Sequence, residues 1–128
     1  MPFLHLYTTL PAHRVPQDFS QKTGVLLSQL LGKPAEIINI HVITEQNIYQ
    51  GTDPDRLKPN GYAVIRSVGT GSPDDIKRTI AELTAHVKQT LGIDEKQFFV
   101  FIIDVDPNLV GKHGKVLADL LICPSKGY

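Results

Sequence analysis

Apolar positions along the chain change rhythm four times. Short stretches rich in β-branched and aromatic residues lie at 3–9, 37–43, 62–68 and 98–105, and each predicts a strand. Between the last two, Ile76, Ile80, Leu83, Val87 and Leu91 recur three or four residues apart, which predicts one apolar stripe on a helix. Ser72 can cap that helix, Pro73 suits its first turn, Asp74 and Asp75 favour its positive end, and Gly92 stops it. An earlier helix over about 16–31 carries Phe19, Thr23, Leu26, Leu27, Leu30 and Leu31, with Gly32 as its stop. Gly24 in its interior weakens it somewhat.

The order strand, helix, strand therefore occurs twice, and the two copies share an offset. Leu31-Gly32-Lys33-Pro34 leads into 37–43, and Leu91-Gly92-Ile93-Asp94 leads into the run ending at Ile103, each feature recurring 60 residues later, from Leu31 to Leu91 and from Ile43 to Ile103. Such self-similarity predicts a tandem βαβ repeat, with pseudo-repeats at about 2–45 and 62–105. A βαβ crossover is right-handed and makes its two strands parallel. The fold class expected is α+β in two layers, a four-stranded mixed sheet with both helices on one face. The other face is then left bare. The run Phe98, Phe99, Val100, Phe101, Ile102, Ile103 is unbroken, the pattern of a strand buried on both sides, which two helices on one face cannot provide. Association with other subunits is the expected cover.

Composition narrows the function. At 128 residues the chain is expected to form a single domain, 1–128. Its 13 basic and 13 acidic residues cancel, which removes the electrostatic case for a nucleic-acid or anionic-membrane partner. No apolar run approaches the roughly 20 residues of a membrane span, and the start lacks a signal-peptide pattern, so a cytoplasmic location is expected. Cys123 stands alone, without a CxxC partner or zinc-type spacing, and reads as a tail residue. Disorder is expected only in the last residues, 124–128. There is no GxSxG, HExxH or phosphate-binding glycine loop. His5, His13, His41, His86 and His113 show no metal-ligand spacing and read as surface or strand-face residues. Neither a metal nor a cofactor is expected.

Pro2 is the unusual position. Methionine ahead of so small a residue is normally removed, and the product would open the first strand with a secondary amine. An α-amino group titrates near roughly 7.7–8.0, and burial or nearby cations lower that further, which suits a general base at neutral pH. Met-Pro starts are also compatible with a plain strand beginning.

Longer matches bear on that choice. Met1-Pro2-Phe3-Leu4, Leu10-Pro11-Ala12-His13-Arg14-Val15-Pro16, Leu31-Gly32-Lys33-Pro34-Ala35, Ser67-Val68-Gly69 and Val110-Gly111-Lys112-His113-Gly114 follow one another as in the macrophage migration inhibitory factor family of tautomerases. Within that family the chain most resembles the D-dopachrome branch. The resemblance implies a homotrimer whose sheets line a central barrel, with active sites at subunit interfaces. It implies a cofactor-independent keto-enol tautomerase acting on dopachrome or arylpyruvate-type substrates, an intramolecular isomerase or a D-dopachrome decarboxylase-like lyase. Pro2 would be the base and Lys33 the cation holding a substrate carboxylate or enolate oxygen. Val68 beside Ser67 would supply a backbone and wall contact, and Lys112 matches a lysine of the dopachrome branch. Phe99 and Phe101 fall where the migration-inhibitory branch has a tyrosine and an asparagine, and they would come from the neighbouring chain. Losing those two donors implies weaker phenylpyruvate chemistry and a substrate that is more apolar or held by lysines. The family's CxxC is absent, about four residues are inserted between Gly51 and Tyr62, and the tail beyond Lys115 is longer. The alternative is a cytokine-like ligand, secreted without a signal peptide, that binds a cell-surface receptor with weak or no catalysis.

Overall fold

The computed structural model describes residues 2–51 and 58–121. Met1, positions 52–57 within the expected insertion, and the tail 122–128 with Cys123 lie outside the described residues.

Two strand-helix-strand units follow one another: β1 (Phe3–Thr8), α1 (Phe19–Leu31) and β2 (Asn39–Ile43), then β3 (Gly61–Ser67), α2 (Pro73–Leu91) and β4 (Phe98–Asp104). The sheet order is β2-β1-β3-β4. Strands within a unit are parallel and β1 meets β3 antiparallel, giving the expected mixed sheet. Both helices leave their units alike. Gly32 and Gly92 close α1 and α2 at φ 65° and 71°, their N–H groups donating to Ser28 O and Lys88 O. Only glycine takes that left-handed turn without strain. The short turns that follow, Ala35–Ile37 and Glu95–Gln97, stand 60 residues apart like the motifs that predicted them.

The core lies between helices and sheet. Leu4, Leu6, Ala63, Ile65 and Phe98 from the strands meet Phe19, Leu27, Leu83, Val87 and Leu91 from the helices, all buried. Each such leucine or phenylalanine contributes about 1.5–3 kcal/mol relative to an exposed one. The Ser72 cap forms as a reciprocal pair, its Oγ accepting from Asp75 N–H at 3.2 Å while the Asp75 carboxylate accepts from Ser72 N–H at 3.0 Å.

Several expectations need correcting. The buried stripe of α2 is Thr79, Leu83, Val87 and Leu91, whereas Ile80 is 37% exposed. Steps of four back from Leu91 reach Thr79, whose hydroxyl is satisfied by Asp75 O at 2.9 Å and so tolerates burial. α1 begins at Phe19, because residues 16–18 form a turn in which Pro16 O accepts from Phe19 N–H. The run in β4 is not buried on both sides within one chain. Phe98 is buried, but Phe99, Phe101 and Ile103 are 55%, 53% and 43% exposed, because both helices cover the opposite face.

On that bare face rings stack across the strands. Tyr7 lies against Tyr62 at 4.8 Å, Tyr62 meets Phe101 edge-on at 6.1 Å, and His5 faces His41 at 5.2 Å. A hairpin of β5 (Gly111–Lys112) and β6 (Lys115–Val116) and a short α3 (Leu117–Leu121) complete the described chain. His113 and Gly114 turn the hairpin with φ of 55° and 72°, the double left-handed geometry of a two-residue loop.

Candidate active site

Lys33 owes its position to its neighbours in sequence. Gly32 turns the chain out of α1, and Pro34 keeps the residue before it out of the helical region. Ser28 then holds Lys33 at both ends of its backbone, its carbonyl accepting from Lys33 N–H at 3.2 Å and its hydroxyl donating to Lys33 O at 2.5 Å. The side chain is thereby sent to the end of β3. There the ammonium donates to Ser67 Oγ at 3.0 Å and to Val68 O at 2.5 Å. Burial pulls the Lys33 ammonium below the ordinary lysine range, and the Asp104 carboxylate partly restores it.

Pro2 is buried, just ahead of β1. In the antiparallel register Phe3 stands opposite Arg66, so one step further sets Pro2 against Ser67, the residue that receives Lys33. Its carbonyl is fixed by Asn39, whose N–H donates at 2.9 Å and whose amide Nδ2 donates at 3.4 Å. The structure therefore brings Pro2, Lys33, Ser67 and Val68 to one end of the sheet. A cavity of about 270 Å³ at the start of β1 is lined by Phe3, Asn39, Val110 and Lys112, among others, and not by Pro2, Lys33, Ser67 or Val68. The hairpin brings Lys112 to this cavity, beside Phe3 and Asn39.

Phe99 and Phe101 do not join the site. Within one chain they line a separate, apolar groove of about 310 Å³ with Ile48, Gln50 and Tyr62 on the bare sheet face. Nothing in a single chain carries them to Pro2. Sequence reading missed Asn39, Ser28 and Asp104, each a polar residue whose partner is a backbone group. It also misplaced His86, which is not a surface residue: the ring stacks on Phe19 at 5.7 Å and its Nε2 lies 3.0 Å from Thr23 Oγ1. Among the described residues there is no cluster of three or more potential metal ligands, and no helix long and apolar enough to cross a membrane.

The family model described as macrophage migration inhibitory factor (MIF) matches residues 1–118. The chain belongs to the MIF family. A macrophage migration inhibitory factor homolog of Trichinella spiralis is 28% identical over 114 residues, covering 89% of this chain and 97% of the relative. D-dopachrome decarboxylase-B of Xenopus laevis is 29% identical over 121 residues, covering 94% of this chain and all of the relative. The two kinds of MIF-family relative thus stand at equal distance. The solved structure of the Trichinella spiralis factor superposes with a TM-score of 0.81 at 26% identity, covering 88% of this chain and 97% of that one. A factor from Oncomelania hupensis reaches 0.82 at 18% identity, over 91% of this chain and 81% of that one, which bears on the fold alone. The mixed α+β fold with four strands and two main helices is the MIF fold.

Proposed function

We propose that this member of the MIF family is a cofactor-independent keto-enol tautomerase of arylpyruvate or dopachrome-type substrates, with the Pro2 nitrogen as general base once Met1 is removed. In this reading the amine takes a proton from the carbon next to the substrate carbonyl and returns one to the oxygen side, so the product is an isomer and nothing is consumed. Lys33 holds the substrate carboxylate or the developing enolate oxygen. Two of its three N–H bonds are committed to Ser67 and Val68, which aims the third. A cation beside a buried secondary amine also disfavours protonation of that amine, lowering its pKa toward neutrality. Lys112, lining the cavity at the start of β1, would offer a second positive charge to an anionic substrate.

The observation that supports this most is the Lys33 ammonium fixed at the strand end that faces Pro2. Relatives named for D-dopachrome decarboxylase support the reaction class. Phe99 and Phe101 would complete the pocket from a neighbouring copy in a homotrimer, and as phenylalanines they favour an aromatic substrate held by contact rather than by hydrogen bonds. The test is an intact-mass measurement on protein made without an N-terminal tag, followed by kinetics of Pro2→Gly. A mass lacking methionine and a loss of at least about tenfold in turnover of D-dopachrome or hydroxyphenylpyruvate are expected. Retained methionine with undiminished turnover removes the mechanism.

A further inference from the structure

We infer that Asp104, the last residue of β4, is a positioning residue for Lys33, holding the corner on which the ammonium rests and placing a carboxylate at that corner. This deepens the proposed function, because it rests on Lys33 as the group that binds the substrate anion.

The corner is Ser67-Val68-Gly69. Asp104 stands in register beside Ser67, and the pairing is prolonged by Val105 N–H donating to Ser67 O at 2.9 Å. The Asp104 Oδ1 then accepts from Gly69 N–H at 3.0 Å. From the other side Ser67 Oγ donates to Gly69 O at 3.1 Å. Gly69 is thus held at both its N–H and its carbonyl, and the Val68 carbonyl just before it is presented to Lys33. The serine hydroxyl has one proton, which is used at Gly69, so its lone pairs remain for the lysine at 3.0 Å. Asp104 therefore acts on both oxygens that receive the ammonium without touching it.

Charge gives a second role. The groups facing Lys33 from β3 are the neutral Ser67 hydroxyl and Val68 carbonyl, and Pro2 lies ahead of β1. Asp104 on β4 is the charged group whose field opposes the loss of solvation at the half-buried ammonium.

The two roles separate by mutation. Asp104→Asn keeps an oxygen to accept from Gly69 N–H but removes the charge, and Asp104→Ala removes both. The first readout needs no turnover: the pH dependence of Lys33 acetylation in the intact protein, followed by peptide mass spectrometry, since only the neutral amine reacts. Asp104→Asn should move the midpoint for Lys33 to lower pH, while Asp106→Asn, whose carboxylate bonds Asn108, should leave it unmoved. In kinetics the alkaline limb for Asp104→Asn should shift the same way with its plateau retained, and Asp104→Ala should also lose roughly tenfold in kcat/KM. A Lys33 midpoint unchanged by Asp104→Asn overturns the inference. A shifted midpoint in a protein that turns over no keto acid or dopachrome overturns the proposed function and leaves the Asp104–Lys33 coupling standing.

Discussion

A lysine at the end of a helix is ordinarily a mobile surface charge, and Lys33 differs because every part of it is held. Ser28 fixes its backbone, Ser67 and Val68 take its ammonium, and burial lowers its affinity for a proton. Replacing it with methionine keeps the stem and removes the donors. Lys33→Met should lower kcat/KM on the order of 10²-fold with thermal unfolding little changed, as steady-state kinetics beside calorimetry would show. A variant that unfolds early instead would make the lysine a structural strut. Pro2 stood out in the sequence through the chemistry of a processed N-terminal amine and then through family likeness, and Lys33 through family likeness alone, since a lysine before a proline carries no periodic signal. Asn39 and Asp104 were not legible at all. Each is a polar residue at a strand end whose partner is a backbone group 35 or more residues away, and nothing local marks it.

The two helices meet through a polar contact that the apolar stripe did not foretell. Thr23 Oγ1 donates its one proton to Phe19 O at 2.6 Å, which leaves its lone pairs to accept from His86 Nε2–H at 3.0 Å. Burial first, and then the Lys22 charge, hold the His86 pKa below its ordinary value. A histidine with a depressed folded pKa binds fewer protons than in the unfolded chain. Stability is therefore full above the ordinary histidine pKa of about 6.5 and falls as pH drops from there toward the folded value. His5 is shifted the same way and adds to this trend, so the comparison must be differential. His86→Gln, which can still donate to Thr23, should flatten the fall in midpoint between neutral and mildly acidic pH in denaturant titrations. An unchanged acid slope would remove His86 as its source.

One whole face of the sheet carries no cover, and this sets the behaviour of the molecule as a unit. Phe99, Phe101 and Ile103 project from an edge strand beside Tyr62 and Tyr7, an apolar and aromatic surface of the kind that marks an interface. In solution the protein should sediment at three times the chain mass. Phe101→Asp, which adds a charge to that face without touching the core, should shift sedimentation toward the single chain, and a monomeric wild type would contradict the trimer. The four main strands, the two main helices, their order and the 60-residue repeat were readable beforehand, because strand and helix periods, a Ser72 cap and glycine stops act over a few residues and are written where they act, whereas the hairpin of β5 and β6 and the short α3 were not foreseen. The two-layer arrangement followed from them by the geometry of the crossover. Folding in three dimensions settled the rest: which side of β4 stays bare, that Thr79 rather than Ile80 turns inward, and that an ammonium at position 33 rests on oxygens at 67 and 68. Those outcomes depend on register and on contacts between residues far apart in the chain, whose free energy exists once the sheet has closed and cannot be assigned to any short stretch of residues.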